Sequence, residues 1–490
     1  PWIVLVPSMT GLRGSVVSMG MANGLDAVLH FVIPIALVRL LPVEQFGEYR
    51  LLWLAASSAM LFAPMGMPRS LQYFLPRNNE EDRRVFIDQT LIFLLITAAI
   101  AALFFLPSSP LLPSTMKGLV ESSSYLVSLF VFFWVIASLI DVLPSALEKY
   151  RHQVLFIIIF SLVRTTGVLL AAWYYHDAVP VITFLATFAM LKCIVLLVFR
   201  YSQTRTLLLR ASRGLWSQQL RHALPLGING MLNKGRMVAE QWIVAIMFTA
   251  GQFAVFSVAA SIYPMMNVIK TSVNFVTVPR MSRLQSQGKT KKLIELNNKG
   301  NIAVSFLLYP ALVFILINAE PVVTLLYTGN YSDAANIMRL YACAMFIMAI
   351  EISSILIVYQ QGPYMMRTGM LVIAIMICVA VLGATFIGLV GVAFGGVVAV
   401  LVGAIRNYIR VIHITGTPLR KIQQWNTIGM IVIAAGGAGM VARLVTSSLM
   451  TDQADYIQLS TVLALNAVLY ACLLVFFRRG WLFSQFWRSR

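Results

Sequence analysis

The sequence has few charged residues, and acidic residues are the scarcer kind. Only 11% of the 490 residues are charged, with 18 acidic against 37 basic side chains, whereas 59% are hydrophobic. A soluble globule of this size needs more polar residues to hydrate its surface. The composition therefore excludes a single soluble domain and predicts a membrane protein.

Cysteines and catalytic motifs are also scarce. The four cysteines all lie in apolar stretches, where they are typical of small packing residues rather than of a disulfide framework. The sequence has no Walker loop, no Cys-x-x-Cys and no His-Glu-x-x-His, and its five histidines do not cluster with carboxylates at ligand spacing. We expect neither an enzyme nor an ATP-driven pump, and we predict no cofactor and no metal.

Long apolar stretches recur along the whole chain. A helix needs about 20 apolar residues to cross the hydrocarbon layer, whereas a barrel strand needs about ten with strict alternation. We predict an all-α polytopic membrane protein with about 14 transmembrane helices. The predicted spans are residues 14–39, 43–66, 86–106, 119–147, 153–175, 178–199, 222–249, 252–278, 301–319, 334–360, 368–389, 391–412, 426–447 and 456–477.

Basic residues collect in every second gap between these spans. The clusters are Arg69, Arg77, Arg83 and Arg84; Arg205, Arg210 and Arg213; and Arg280, Arg283, Lys289, Lys291 and Lys292. Loops rich in Lys and Arg stay on the cytoplasmic side. The pattern predicts a bacterial cytoplasmic (inner) membrane protein with both termini in the cytoplasm. The charges are spread over short loops, so they favour contact with lipid headgroups over nucleic acid.

Two short motifs repeat at an offset of a little over 200 residues. QFGEY at 45–49 is echoed by QFAVF at 252–256, and LPR at 75–77 by VPR at 278–280. The repeat predicts two similar lobes of six helices, a linker and two further helices. The predicted segments are 1–199 for the N-terminal lobe, 200–221 for the linker, 222–412 for the C-terminal lobe, and 413–490 for the last two helices with the basic C-terminus.

An even number of helices per lobe means that both lobes enter the membrane from the same side. The repeat is then parallel, its pseudo-twofold axis runs along the membrane normal, and a central cavity lies between the lobes. The linker carries leucines among arginines, which predicts an amphipathic helix on the cytoplasmic surface. Small residues at 391–395 predict close packing between the eleventh and twelfth helices.

Three motifs carry a resemblance to a known family. They are LLPVEQFGEY at 40–49, LLYTGNYSDAA at 325–335 and IGLVGVA at 387–393. With the helix count and the repeat, the chain resembles the polysaccharide exporters, or Wzx-type flippases, of the multidrug/oligosaccharidyl-lipid/polysaccharide (MOP) superfamily. The resemblance implies a transporter that moves lipid-linked oligosaccharides between leaflets by alternating access.

The same resemblance implies the partners. The substrate would be a polysaccharide repeat unit on polyprenyl pyrophosphate, and the surroundings would be membrane lipids. A polymerase and other polysaccharide-assembly proteins would act beside it. Independently of the resemblance, a proton or sodium gradient is the candidate energy source, because buried carboxylates in membrane spans are common coupling elements.

Charged residues inside the predicted spans mark candidate sites, because each costs at least a few kcal/mol at the bilayer centre unless it is paired or hydrated. Arginine grips phosphate oxygens with two donors and lysine acts as a point charge, which predicts substrate binding by Lys234, Arg236, Lys270 and Arg164. The carboxylates Asp26, Glu240, Asp141 and Glu351 are candidates for a coupling ion or for charge pairs. Lys192 and Lys270 lie near enough to span ends to snorkel.

Structural ion pairs are the alternative for the same residues. Arg236 and Glu240 are four apart, close enough to pair on one helical face. Superposing the two halves on their repeated motif brings Asp26 near Lys234 across the cavity. Asp141 with Arg164 is the third predicted pair.

Two other functions stay open within the same superfamily. A cation-coupled multidrug antiporter would bind cations at Asp26 and Glu240, although the mixed charges suit an anionic substrate better. A flippase for the peptidoglycan lipid precursor would share the fold and a cationic cavity. A membrane glycosyltransferase or polymerase is disfavoured, because the gaps predicted outside the membrane are short and carry few charges.

Overall fold

The computed structural model describes residues 12–123, 125–449 and 455–478, and these residues form helices joined by short turns, with no strand among them. The helices are α1 (Leu12–Leu40), α2 (Val43–Phe62), α3 (Met67–Phe74), α4 (Glu80–Phe104), α5 (Ser114–Ser123), α6 (Leu126–Ala137), α7 (Leu143–Ala146), α8 (Tyr150–Tyr175), α9 (Ala178–Thr204), α10 (Arg213–Met247), α11 (Ala250–Ala260), α12 (Tyr263–Ser286), α13 (Thr290–Tyr327), α14 (Ala334–Ala349), α15 (Ser353–Val358), α16 (Gly362–Ile387), α17 (Leu389–Thr415), α18 (Leu419–Ile422), α19 (Trp425–Leu449) and α20 (Asp455–Arg478).

Ten of these helices are long and apolar enough to cross a membrane, and the bent pair α2 and α3 makes up to eleven within the described segments. The all-α polytopic class is therefore confirmed, whereas the count of 14 stays a prediction. The predicted spans 222–249, 252–278 and 334–360 do form helices. They fall outside the ten because α10 and α12 carry many polar residues and α14 is short.

The chain divides into two compact units, with the boundary between Ala254 and Val255. This division places α10 with the preceding helices, because α10 packs against α2, α3 and α4. The linker also differs from the amphipathic helix predicted for it. Residues 200–204 complete α9, residues 205–212 are not helical, and residues 213–221 form the start of α10. The predicted lobe limits themselves stay a prediction.

A buried ion pair fixes the non-helical linker segment to the first unit. The Arg200 guanidinium lies 2.7 Å from the Asp88 carboxylate, and both side chains are almost fully buried. The Arg210 amide donates to the second Asp88 oxygen at 3.1 Å, and Arg200 donates to the Leu208 carbonyl at 3.0 Å. One carboxylate therefore holds both α9 and the segment that follows it.

A second buried polar network joins the start of α10 to α3 and α4. The Gln219 amide nitrogen donates to the Ser70 and Thr90 hydroxyls at 2.8 and 2.9 Å, and its oxygen accepts from the Gln89 amide at 2.6 Å. Buried polar groups of this kind are stable only when partnered. The network thus sets the position of α10 on the first unit.

The break between α2 and α3 depends on a glycine. The two helices bend by 48° at the break, and Gly66 has a positive φ of 78°. A Cβ on Gly66 would overlap the Ala223 carbonyl of α10, and one on Gly227 would overlap the backbone of Met65. The glycines therefore allow α10 to lie directly against the break.

In the second unit, α16 and α17 form an extensively packed antiparallel pair. The backbones of Gly383 and Gly391 meet with no space for a Cβ on either residue, and Gly395 meets Ala380 in the same way. The packing predicted for residues 391–395 is therefore confirmed. In the same unit, α19 and α20 pack on the long helix α13.

Candidate functional site

The first unit contains a cavity of about 260 Å³ between α1, α6, the turn after α6, α8 and α9. All four helices overlap candidate membrane spans. The lining residues are Met19, Asn23, Asp26, Trp134, Asp141, Gln153, Ile157, Phe160, Ser161, Arg164, Phe188 and Lys192. Four of them are charged, which is unusual for residues within membrane spans.

Asp26 of α1 is held by two residues of α8. Its carboxylate lies 3.0 Å from the Arg164 guanidinium and accepts a hydrogen bond from the Ser161 hydroxyl at 2.5 Å. Ser161 and Arg164 are three apart, so they share a helical face. The predicted pairing of Asp26 with Lys234 is wrong, because the packing of α1 along α8 gives Asp26 a nearer cation.

Asp141 pairs with Lys192 of α9 at 2.9 Å. The predicted partner, Arg164, is engaged by Asp26 instead. The Lys192 ammonium also lies over the rings of Trp134 and Phe160, 5.1 and 5.5 Å from their centroids. The predicted snorkelling of Lys192 is wrong as well, because α9 continues to Thr204 and leaves Lys192 near its middle.

The two ion pairs share an orientation. The side chains of Arg164 and Lys192 are only 11% and 8% exposed, whereas those of Asp26 and Asp141 are 42% and 53% exposed. The carboxylates therefore present acceptor oxygens to the cavity, while the buried cations cancel their charge. Such oxygens beside an aromatic ring such as Trp134, which also lines the cavity, suit a ligand rich in hydroxyl groups.

A second cavity of about 340 Å³ adjoins the first one at Asp141, which lines both. Its wall includes the break between α2 and α3 and one face of α10. Arg69 and Lys234 are both exposed in its lining. In the part of the chain that the structure describes, neither cation lies within 4 Å of a carboxylate, so this cavity is positively charged.

The sequence predicted Lys234 as a substrate-binding candidate, in a central cavity between two lobes, but assigned Arg69 only to a cytoplasmic cluster. Arg69 reaches the cavity because the chain bends just before it, between Pro64 and Met67. The proline and glycine at this break were the available signal. The substrate-binding role of Lys234 stays a prediction.

Arg236 and Glu240 of α10 form the pair that their spacing predicts, at 3.8 Å. Both side chains are largely buried, whereas Lys234 is exposed. Lys234 and Arg236 thus differ in their surroundings, as two residues about 200° apart around a helix should. The predicted ligand roles of Arg236 and Glu240 stay predictions.

The second unit holds the remaining two candidates. Lys270 of α12 forms a direct ion pair with Glu351, and its ammonium also donates to the Met348 carbonyl at 3.2 Å. Glu351 lies at the break between α14 and α15, where its carboxylate accepts from the Ser353 amide at 2.7 Å. Both members of the pair are therefore engaged within the unit.

Two asparagines of α13 complete this centre. The Glu351 carbonyl accepts from the side chains of Asn297 and Asn301 at 3.0 Å each, and the Glu351 amide donates to Asn301. Asn301 also donates to Gln423 at 3.0 Å. Because these groups satisfy the backbone where the helix is broken, the centre has a structural role whether or not it also binds a ligand.

Comparisons with known proteins agree with this fold. A family model described as polysaccharide biosynthesis protein matches residues 12–285. The structure is similar to that of the lipid II flippase MurJ in an inward closed conformation, with a TM-score of 0.69 and 13% identity over 94% of this chain and 99% of that one. A sequence search of curated proteins found no match.

Two further similar structures belong to transporters. An inward-facing multidrug resistance MATE family transporter of the MOP superfamily gives a TM-score of 0.62 at 14% identity, covering 82% of this chain and 99% of that one. A MOP superfamily transporter from Pyrococcus furiosus gives 0.54 at 14% identity, covering 83% and 97%. The fold is thus one that transporters use. Because the family model spans more than half of the sequence, the chain belongs to the polysaccharide biosynthesis protein family and shares the MOP superfamily fold.

Proposed function

We propose that the protein is a flippase that moves an oligosaccharide linked to polyprenyl pyrophosphate across the cytoplasmic membrane by alternating access. The family match supports a role in polysaccharide biosynthesis, and the similar folds support transport rather than enzymatic chemistry. Both termini would be cytoplasmic, as the distribution of basic loop residues predicts.

The observation that carries the proposal is the pairing of the membrane carboxylates. An antiporter of lipophilic cations needs acidic residues whose negative charge no protein cation offsets, and the candidates for that role were Asp26 and Glu240. Asp26 instead pairs with Arg164 and Glu240 with Arg236. The charges of these carboxylates are offset, which disfavours a lipophilic cation as substrate.

The two adjoining cavities suit the two chemical parts of the substrate. Arg69 and Lys234 give the second cavity the positive charge that a pyrophosphate needs. The first cavity presents the oxygens of Asp26 and Asp141 beside Trp134, which suits the hydroxyl groups and apolar faces of sugars. Asp141 lines both, so it would lie where the pyrophosphate joins the first sugar.

The energy source in this proposal is a proton or sodium gradient. Asp26 is the candidate ion ligand in the first unit, because its carboxylate is the exposed member of its pair. Binding of an ion there would weaken its attraction to Arg164 and change the charge of the cavity. A polymerase and other assembly proteins would receive the exported unit.

The peptidoglycan lipid precursor is the second candidate substrate. The similarity in fold to a lipid II flippase favours it. It also carries a pyrophosphate, so Arg69 and Lys234 would serve either substrate. The family match with polysaccharide biosynthesis proteins favours the oligosaccharide.

The test measures which leaflet holds polyprenyl-linked oligosaccharide in cells depleted of this protein, with an impermeant probe of the outer leaflet. We expect build-up confined to the inner leaflet. Wild-type protein should restore normal sidedness, whereas Lys234→Ala and Arg69→Ala should restore it at least about tenfold less well, because each loses a charged contact to phosphate. All variants should be equally abundant.

Arg280→Ala is the matched control, since Arg280 is an exposed arginine in another basic cluster. It should restore export fully. Normal sidedness of the oligosaccharide in depleted cells, with new sensitivity to cationic drugs, would instead identify an antiporter. Loss of outer-leaflet peptidoglycan precursor alone would identify the second candidate.

A further inference from the structure

Two arginines, Arg406 and Arg410, lie side by side on α17. Arg406 and Arg410 are four residues apart and therefore share one face of the helix. Among the described residues, neither lies within 4 Å of an acidic side chain. Two adjacent positive charges on an apolar helix repel each other and are costly inside a membrane protein unless an anion offsets them.

The contacts of both arginines are with neutral groups of α16 and the turn before it. Arg410 donates twice to the Gln361 side-chain oxygen, at 3.0 and 2.6 Å. Arg406 donates through Nε to the Thr368 hydroxyl at 3.4 Å. Neutral acceptors orient the guanidinium groups without cancelling their charge. Within the described segments, both terminal nitrogens of Arg406 and one of Arg410 have no hydrogen-bond acceptor and remain for a ligand.

Tyr364 supports the two arginines from α16. The guanidinium carbons of Arg406 and Arg410 lie 5.6 and 5.2 Å from the centre of its ring, and its hydroxyl donates to the Arg406 carbonyl at 2.7 Å. The close packing of α16 on α17 fixes this ring in place. The site thus consists of two guanidinium groups that are already held in position beside one aromatic side chain before a ligand binds.

The position of the arginines indicates how a ligand would arrive. Ile405 and Ile409 precede the two arginines in sequence and are exposed on the neighbouring face of α17. α17 is long and apolar enough to cross a membrane, and exposed isoleucines on such a helix suit contact with lipid tails. A ligand that reaches the arginines can therefore come from the lipid phase. The end of α17 at Thr415 is predicted to be cytoplasmic.

We propose that Arg406, Arg410 and Tyr364 form a binding site for the phosphate group of a membrane lipid. Planar guanidinium groups match phosphate oxygens with paired donors, and the resulting hydrogen bonds are stronger because both partners are charged. The phosphate can belong to an anionic phospholipid or to a polyprenyl pyrophosphate. The site shares no residue with the lining of the cavities in the first unit and stands without the proposed function.

The test is native mass spectrometry of the detergent-solubilised full chain, titrated with three probes. The probes are phosphatidylglycerol, undecaprenyl pyrophosphate and undecaprenol, which lacks phosphate. For the phosphate lipids, Arg406→Ala with Arg410→Ala should raise the apparent Kd at least about tenfold. Binding of undecaprenol should be unchanged by these substitutions.

Two further variants distinguish binding through the paired donors of the guanidinium groups from a general effect of positive charge. Arg280→Ala with Arg283→Ala removes the same charge from exposed positions of α12 and should change the apparent Kd less than about twofold. Arg406→Lys with Arg410→Lys keeps the charge but loses the paired donors, so it should lie between wild type and the alanine variant. If the alanine variant fails to fold, the apparent Kd of the lysine variant for the phosphate lipids is the test of the site.

Weaker binding of both phosphate lipids would assign the site to phospholipid headgroups, and weaker binding of the pyrophosphate alone would assign it to the substrate lipid. Equal effects of the α12 and α17 double variants would overturn the proposal, as would wild-type binding by the lysine variant. The leaflet sidedness of the oligosaccharide in the same α17 variants measures transport separately from lipid binding. Loss of transport without any change in lipid affinity would overturn the lipid-phosphate site and leave the proposed flippase function intact.

Discussion

The Lys192 ammonium lies 2.9 Å from the Asp141 carboxylate, but the two groups have different surroundings. Lys192 is buried against the rings of Trp134 and Phe160, while Asp141 lines both cavities. The ion pair therefore compensates the buried charge of Lys192 and also holds an accessible oxygen of Asp141 in position. Loss of Asp141 should therefore change the stability of the protein by a different amount from loss of Lys192.

We expect Asp141→Ala to destabilise the protein more than Lys192→Met. The first substitution leaves a buried cation without its partner, which costs roughly 3 kcal/mol. The second leaves a carboxylate that water can reach and fills the space of the lysine stem, so it should cost about 1 kcal/mol or less. Thermal unfolding in detergent, followed by tryptophan fluorescence, checks the order of the two variants. A lower melting temperature for Lys192→Met would contradict this account.

A charge swap tests the contact between α1 and α8. Asp26→Arg and Arg164→Asp should each impair oligosaccharide export, because each brings like charges together. The double variant should recover part of the export, since it restores an opposite pair at the same contact. Asp26→Lys with Lys234→Asp is the matched control, and it should show independent losses because Asp26 does not pair with Lys234. Recovery in the control but not in the first double variant would reverse the assignment.

Hydropathy was sufficient for the class of fold, because a bilayer demands long apolar helices whatever the tertiary packing. Spacing within one helix also predicted the pair Arg236 and Glu240, whose geometry any α-helix provides. Both successes depend on local rules. They need no knowledge of how one helix is rotated against the next.

Partners on different helices could not be predicted in the same way. Asp26 and Asp141 each pair with a cation other than the predicted one, because the choice depends on which faces of α1, α8 and α9 meet. The meeting of Arg69 with Lys234 depends on the bend between α2 and α3, which a composition pattern marks but does not orient. The candidate site thus required the packing as well as the residues.

The buried pair Asp88 and Arg200 predicts a local effect on the linker. Asp88→Ala leaves the Arg200 guanidinium buried without a partner and removes the acceptor for the Arg210 amide. We expect a loss of roughly 3 to 5 kcal/mol in stability and faster trypsin cleavage after Arg205 and Arg210. Glu80→Ala on the same helix is the control, because the pair of Glu80 with Arg84 is exposed. It should cost under about 1 kcal/mol. Equal cleavage rates in the two variants would argue against the role of Asp88.

Gly66 predicts how strictly the second cavity depends on the bend before Arg69. Gly66→Ala must place a side chain at a φ of 78° and against the Ala223 carbonyl. The left-handed conformation alone costs on the order of 1–3 kcal/mol for a residue with a Cβ, and the overlap pushes α10 away from the break. We expect a lower melting temperature and weaker export than in Gly230→Ala. Gly230 lines the same cavity but has open space around it, so its alanine variant should behave like wild type.

The same two variants also test the link between the bend and the phosphate site. Because α10 carries Lys234, the movement that Gly66→Ala causes should lower the affinity for undecaprenyl pyrophosphate. If Gly66→Ala and Gly230→Ala bind this lipid with equal affinity, the phosphate site does not depend on the bend.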